Sequence, residues 1–249
     1  MDFNKYEKAL IYEIFIKREY KNLDNYIKNG EQIFDVGGHL GFFSLYSLFL
    51  KTGFYDKYFL KDIDDILKLI FSYQVNINNN FQIHFFEPEK NLYKRAEKIL
   101  NNFKKNIVFN NIGISDKSGE NSIYINLEKT SQTSLYNNTF LNKTGILKKA
   151  NFVKLNDYIN KNNLSKIDLL KMDIEGKEFD IILSINKNIF SKIKVLFFEY
   201  HILDNSFLKK FEETKKYLSH FYKNRYNGQK WVGIKCQSLF SIKKTKSYF

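Results

Sequence analysis

A single cysteine, Cys236, stands among 249 residues. One thiol excludes an internal disulfide and any zinc site built from cysteines. Proline is as scarce: Pro88 is the only one, so the turn that holds it is set apart from every other turn. No run of about 18 uncharged apolar residues occurs, which excludes a membrane-spanning helix. Met1-Asp2-Phe3-Asn4-Lys5 opens with an acid near the start and leads into no signal-peptide core. No internal repeat and no linker separates a second domain. A cytoplasmic protein is the expectation from these absences.

What the chain does carry is apolar and basic. Hydrophobic residues make up 43%, with 25 Phe and 17 Tyr, which suffices for the core of one α/β domain of this length. The formal net charge of +13 points to an anionic partner: nucleic acid, a membrane surface, or a phosphorylated substrate. Lys and Asn are spread along the whole chain, however, and compositional drift explains the charge as well.

The stretch Ile33-Phe34-Asp35-Val36-Gly37-Gly38-His39-Leu40-Gly41-Phe42-Phe43-Ser44 organises the rest. It reads as a buried strand ending in an acid, a glycine-rich turn, and the first turn of a helix. Glycines at such a strand end let a ligand approach bare backbone, at the edge where open α/β sheets bind nucleotides. Before it, apolar positions at helical spacing over residues 3–20 and a short piece from Leu23 to Ile27 form a helical extension (residues 1–30). That extension could cap the site or make a homodimer contact. After it come a helix over Phe42–Leu50 and an inserted amphipathic helix, Asp62–Val75, within an insertion at about residues 51–80.

Strands then alternate with helices. Gln82–Phe86 ends at Glu87-Pro88-Glu89, and a helix follows over Leu92–Leu100. Ile107–Phe109 ends at Asn110-Asn111. Ser122–Ile125 reads as an edge strand, and Asn156-Asp157 as the cap of a helix running to Asn160. Ile167–Met172 ends at Asp173-Ile174-Glu175-Gly176, and Val195–Phe198 ends at Glu199-Tyr200-His201. A helix over Phe207–Phe221 and late strands near Trp231–Gly233 and Ser238–Ser241 complete the chain. The alternation predicts a mostly parallel sheet with helices on both faces. Parallel strands point one way, so Asp35, Glu87, Asn111, Asp173 and Glu199 share one edge. Glu87, at the end of the second strand, is placed to accept hydrogen bonds from ribose hydroxyls. The glycine pattern D-x-G-x-x-x-G is neither a dinucleotide fingerprint nor a Walker A loop, because no Gly-Lys-Ser/Thr follows.

Four blocks, in order, resemble the motif set of FkbM-type methyltransferases: Asp35-Val36-Gly37-Gly38-His39-Leu40-Gly41; Phe86-Glu87-Pro88; Asn111 to Asp116; and Leu170-Lys171-Met172-Asp173-Ile174-Glu175-Gly176-Lys177-Glu178. The last block is the most specific. The resemblance covers roughly residues 33 to 200 and implies a Rossmann-like, seven-stranded class I methyltransferase fold over residues 31–249. It implies S-adenosylmethionine as cofactor and a hydroxyl, often on a sugar, as acceptor. Two features depart from the family: His39 stands where Asn is usual, and the insertion is long. On this basis Asp35, Gly37, Gly38, His39 and Gly41, with Ser44, would hold the methionine end. Glu87 would take the ribose, and Phe86, Pro88 and Asn111 would flank the adenine.

Methyl transfer from a sulfonium asks the enzyme to align an oxygen and remove its proton. Asp173 is the first candidate base, with His201 as the other and Glu199 orienting it. Glu175 could also reach the site, whereas His84 and His220 read as structural. The alternative is a divalent ion on Asp173, Glu199 and His201; their scattered spacing favours the metal-free arrangement. The expected acceptor is a sugar or nucleotide-linked sugar of capsule- or lipopolysaccharide-type glycan assembly. Its pocket would come from the insertion, the loop Thr130–Leu141 and the segment after His201, with Lys129, Lys143 and Arg225 as phosphate contacts. RNA methylation fits the charge but lacks a dense basic face, and a non-catalytic binding module is the remaining alternative. Treatment with a chelator is expected to leave turnover unchanged. Loss of turnover restored by adding a divalent ion would reassign Asp173, Glu199 and His201 as metal ligands.

Overall fold

The computed structural model describes residues 2–57, 62–72, 80–126, 133–134, 145–174, 176–199, 205–227 and 230–234. Its strands are β1 (Gln32–Val36), β2 (Gln82–Phe86), β3 (Ile107–Asn110), β4 (Gly113–Ser115), β5 (Gly119–Asn126), β6 (Thr133–Ser134), β7 (Gly145–Lys154), β8 (Leu169–Met172), β9 (Val195–Glu199), β10 (Lys223–Asn227) and β11 (Lys230–Ile234). Five of these pair in parallel in the order β3-β2-β1-β8-β9. Beyond β9 the sheet continues through β11 and then β10, each pairing antiparallel. The expected mostly parallel α/β sheet is therefore present. Val36 lies opposite both Phe86 and Met172, so the ends of the central strands form one level edge.

Side chains alternate across a strand, and the two faces of this sheet bury different cores. Ile33, Ile83, Phe85, Leu169, Val195 and Phe197 pack with the N-terminal segment and the helix Phe42–Lys51. Phe34, Phe86, Leu170, Met172, Leu196 and Phe198 pack with the helices Leu155–Lys161, Glu178–Ser184 and Asn205–Ser219. Asp35 and Lys171 have the parity of Ile33 and Leu169, and Glu199 that of Phe197. All three belong to the face that the N-terminal segment covers.

That segment begins with a helix, Lys5–Ile11, closed by a capping box between Asn4 and Glu7. It continues as a π-helix, Tyr12–Ile16, and ends in a helix, Asp24–Asn29, stopped at Gly30. Ile11, Phe15, Leu23 and Ile27 are buried in the same cluster as the sheet residues. The inserted helix spans Ile63–Ser72, and its Ile66 joins that cluster. The end of the insertion, residues 73–79, lies outside the described residues.

Two expectations need correction. Ser122–Ile125 is not the edge of the main sheet. It belongs to β5, which pairs with β7 over eight positions in a separate four-stranded sheet, β4-β7-β5-β6. The signal for β7 is weak in sequence because Ile146 and Leu147 are exposed and Lys148-Lys149 follow them, which breaks the period of two. Asn156 and Asp157 do not cap the next helix, whose N-cap is Lys154 without a side-chain bond. Instead Asn156 donates to Ser184 O and accepts from Asn186 N, while Asp157 accepts from Ser118 Oγ. The hairpin strand β10 had no clear apolar pattern, and the strand expected at Ser238–Ser241 lies outside the described residues.

The β1 turn leaves no room for a side chain. Gly37 has φ +72°, and an added Cβ would lie 1.9 Å from Asp173 O. Gly37→Ala is therefore expected to cost more than about 3 kcal/mol in denaturant unfolding. Gly119, at φ +128° in open space, should lose only about 1–2 kcal/mol on the same change, the backbone strain alone. Equal losses at the two positions would contradict the packing described.

Candidate functional site

The site begins with an ion pair inside the sheet. Asp35, fully buried at the end of β1, sits beside Lys171 of β8 in register. Lys171 Nζ lies 3.2 Å from Asp35 Oδ1 and donates to Gly37 O at 3.2 Å. Ser44 Oγ donates to the other Asp35 oxygen at 2.7 Å. Burial alone would lower the pKa of Lys171, but Asp35, Asp173 and Glu199 outweigh it and raise the value. The lysine thus stays charged and fixes the strand end, the turn and the start of the next helix together.

The glycine turn is drawn tight by backbone bonds, Gly38 N to Phe86 O at 2.9 Å and Gly41 N to Gly38 O at 2.7 Å. His39 has φ +50°. Asn and His are the residues most tolerant of left-handed backbone among those with side chains, which explains why His can stand where the family prefers Asn. Burial pushes the His39 imidazole down to about 4, so it is neutral at pH 7. Its backbone N–H donates to Glu87 Oε2 at 2.9 Å, and Glu89 N donates to Glu87 Oε1 at 2.8 Å. Glu87 is 4% exposed. Burial pushes its carboxyl up to about 8 although both N–H bonds pull it down.

These contacts change several expected roles. Glu87 and its two amide partners lock the turn, and the residue sits inside the fold. Phe86 does not wall a ligand: it is fully buried against Tyr158, 4.7 Å away, and Phe34. Asn111 donates to Glu87 O and Pro88 O at 2.9 and 3.3 Å, which pins the turn that holds the single proline. Glu89 is the N-cap of the helix Lys90–Ile99, accepting from Leu92 N, and pairs with Lys148 from the second sheet at 2.7 Å. Glu178 closes the loop after β8 by accepting from Ile174 N and Gly176 N. His84, bonded to Tyr158 and Gln32, and His220, on a helix carbonyl, are structural as expected.

Beside the turn opens a cleft of about 210 Å³. Its floor is Gly37, Gly38, His39 and Lys171, with Asp173 and Glu199 at the strand ends. Phe42 and Phe43 form one side. Leu10, Glu13, Ile14, Glu19 and Tyr20 line the cleft from the N-terminal segment, the extension whose place over the site was one of the two expectations for it. Asp173 Oδ2 lies 4.0 Å from Lys171 Nζ, and its backbone N–H donates to Val36 O. Tyr20 packs edge-on to Phe43 at 4.9 Å and Phe197 at 5.7 Å. Burial, with Glu19, Asp173, Glu199 and Asp35 nearby, holds its phenol well above the usual tyrosine range, so it remains a neutral hydroxyl. Among the described residues the cleft lining carries four carboxylates and one lysine.

Of the expected site residues, Gly37, Gly38, His39, Asp173 and Glu199 meet at this cleft. Asp35, Ser44 and Gly41 stand behind it as support. His201 and Glu175 lie outside the described residues, as do Lys129, Lys143 and the side chain of Arg225. Among the described residues no group of three His, Cys, Asp or Glu could hold a metal ion. Lys171 was legible in principle, since a lysine within the apolar strand Leu169–Met172 must find a buried partner. Glu13, Glu19 and Tyr20 gave no such signal, because charges on an amphipathic helix normally face solvent.

A parallel sheet with a glycine turn and carboxylates along its carboxyl edge defines a ligand site of the open α/β class. The Methyltransferase FkbM domain matches residues 35–227, and the chain belongs to that methyltransferase family. Its family implies S-adenosylmethionine as methyl donor. A crystal structure of the methyltransferase FkbM from Methylobacillus flagellatus KT is similar with 16% identity and a TM-score of 0.37, covering 79% of this chain and 44% of that one. The chain thus spans less than half the length of that protein. No curated protein matches the chain.

Glu87 has a testable consequence for stability. Below pH 4.5 it is protonated in both folded and unfolded chains. Between pH 4.5 and about 8 the unfolded chain releases the proton while the folded chain keeps it, so Glu87 makes stability fall as pH rises through this window. Glu87→Gln should remove that component, on the order of a few kcal/mol by pH 8, when unfolding free energies of the two proteins are compared from pH 5 to 8. Parallel curves would show that Glu87 is already ionised in the fold.

Proposed function

We infer that the protein is an S-adenosylmethionine-dependent O-methyltransferase acting on a sugar hydroxyl in the assembly of cell-surface glycans. The observation that carries this reading is the convergence of Asp173, Glu199 and Tyr20 on one cleft beside the glycine turn, in a chain of the FkbM methyltransferase family. The donor set suits the cationic end of the cofactor. Its sulfonium and ammonium groups would be met by carboxylates and by the aromatic faces of Phe42, Phe43 and Tyr20, which attract cations. Bound there, the cofactor supplies an activated methyl group whose leaving thioether needs no proton.

The residues of the chain supply alignment and proton removal. Asp173 is held by its backbone bond to Val36 and faces the cleft from the strand end, where it can accept the hydroxyl proton as the oxygen takes the methyl group. Tyr20, a neutral phenol in that cleft, can donate to the acceptor oxygen or to the carboxylate and fix the direction of attack. Four carboxylates at the reacting centre weigh against a nucleic-acid backbone there, despite the net charge of the chain.

Asp173→Asn keeps shape and hydrogen bonding but removes the base. Formation of S-adenosylhomocysteine with sugar acceptors is expected to fall by about 100-fold or more, while calorimetric affinity for S-adenosylmethionine changes by less than about threefold. Turnover unchanged by the substitution would remove Asp173 from the mechanism.

A further inference from the structure

Arg18 carries two local costs at one place. Its backbone is left-handed, at φ +52°, and its Nε is buried with no hydrogen-bond partner among the described residues. Glycine or asparagine would fill the position with less strain. Strain of this kind persists only where other contacts impose it, and it gathers at functional sites. What holds Arg18 is a clasp across separate segments of the chain. Its guanidinium pairs with one oxygen of Asp24, and the Tyr46 hydroxyl donates to the other at 2.5 Å. The guanidinium carbon lies 4.7 Å from the centre of the Tyr55 ring, which is 5.3 Å from that of Tyr46. Tyr46 is fully buried in the helix Phe42–Lys51, which starts at the glycine turn. The clasp therefore ties the N-terminal segment to the helix that carries Phe42 and Phe43.

Two residues on, Tyr20 stands in the turn that Arg18 opens, closed by Lys21 N donating to Arg18 O at 2.9 Å. Its ring lines the cleft and meets Phe43 at 4.9 Å, Tyr46 at 6.1 Å and Phe197 at 5.7 Å. Tyr46 thus touches both ends of the device: its hydroxyl holds Asp24 and its ring supports Tyr20. We propose that Arg18 is a positioning residue for the methyl donor: through Asp24 and Tyr46 it holds the Tyr20 ring where the sulfonium of S-adenosylmethionine meets it. The inference rests on the proposed function for the cofactor's cationic end lying in this cleft, and it deepens that reading. An aromatic face attracts a cation most strongly when both are shielded from water, and only within about 6 Å of the ring centre. Tyr20 is 5% exposed. A ring displaced by loss of its support forfeits that attraction, whereas a neutral thioether in the same place has none to lose. Arg18 and Tyr20 both precede residues 35–227, which match the family, so this support comes from the N-terminal extension of the chain.

Calorimetric titration of the full chain with S-adenosylmethionine and with S-adenosylhomocysteine tests this, because the two differ only in the methyl group and the positive charge on sulfur. Arg18→Gly accepts the left-handed backbone without strain and removes the clasp. It should weaken S-adenosylmethionine at least about fivefold more than S-adenosylhomocysteine. Tyr20→Leu should do the same, while Tyr20→Phe, which keeps the ring, should leave the ratio of the two affinities within about twofold of wild type. Arg18→Gly combined with Tyr20→Leu should move the ratio no further than Tyr20→Leu alone, since the arginine acts through the tyrosine. Equal weakening of both ligands in Arg18→Gly would leave the residue a structural role only and overturn the proposal. A ratio unmoved by Tyr20→Leu, additive shifts in the double variant, or a shift in Tyr20→Phe as large as in Tyr20→Leu would overturn it as well. If Arg18→Gly fails to fold, Asp24→Asn, which keeps an acceptor for Tyr46 and removes the charge facing Arg18, is read by the same ratio with the same outcomes. Wild-type protein that binds neither ligand would instead sink the proposed function, and this inference with it.

Discussion

The buried pair of Asp35 and Lys171 is the constraint on which the site depends. Two charges in a sheet interior must overcome a desolvation penalty of several kcal/mol each, and they do so only with good geometry and further hydrogen bonds. Here the further partners are the Ser44 hydroxyl and the Gly37 carbonyl. Each comes from a different part of the β1 turn and the helix after it. Satisfying the pair therefore dictates where the turn passes, and the turn in turn leaves no space for a Cβ at Gly37. The position of Asp173, two residues after Lys171 and bonded to Val36 O, follows from the same arrangement.

This pair also sets the sign of the cleft. Lys171 is the cation of its lining, and its charge is turned inward to Asp35. Among the described residues, Glu13, Glu19, Asp173 and Glu199 also line it. A chain with a net charge of +13 thus carries a cleft lined by carboxylates, and the global charge does not describe the local field. A cationic methyl donor gains from such a lining in a way that a nucleotide phosphate would not. Burial first, and the same field second, keep Tyr20 protonated.

The sequence reveals residues whose neighbours along the chain define their environment. The strand Gln82–Phe86 was legible residue for residue, because an apolar run between a polar loop and the Glu-Pro pair has one reading. The strand-end position of Asp35, Asp173 and Glu199 was legible for the same reason. Roles that depend on distant partners were not. Glu87 looks from its position like a ribose ligand, yet two amide donors and deep burial make it a lock on the turn. Phe86 follows the strand alternation into the core, which motif position alone does not convey. The sheet built on β7 escaped notice because exposed apolar residues and paired lysines erase its period.

The N-terminal segment shows the deepest limit of local reading and its physical source. Its glutamates are spaced like solvent-facing helix positions, and only the π-turn and the left-handed Arg18 redirect them. Neither feature has a sequence signature, since both are imposed by packing. That packing is shared: Tyr20 lies against Phe43 of the helix after the turn and Phe197 of β9, within the same core that buries Ile33 and Leu169. The wall of the cleft and one face of the sheet are consequently a single hydrophobic unit, and cooperative folding joins them. A wall built in this way is held by the core without belonging to the sheet edge. It can vary in charge through Glu13 and Glu19 while the Asp35–Lys171 pair and the glycine turn stay as they are.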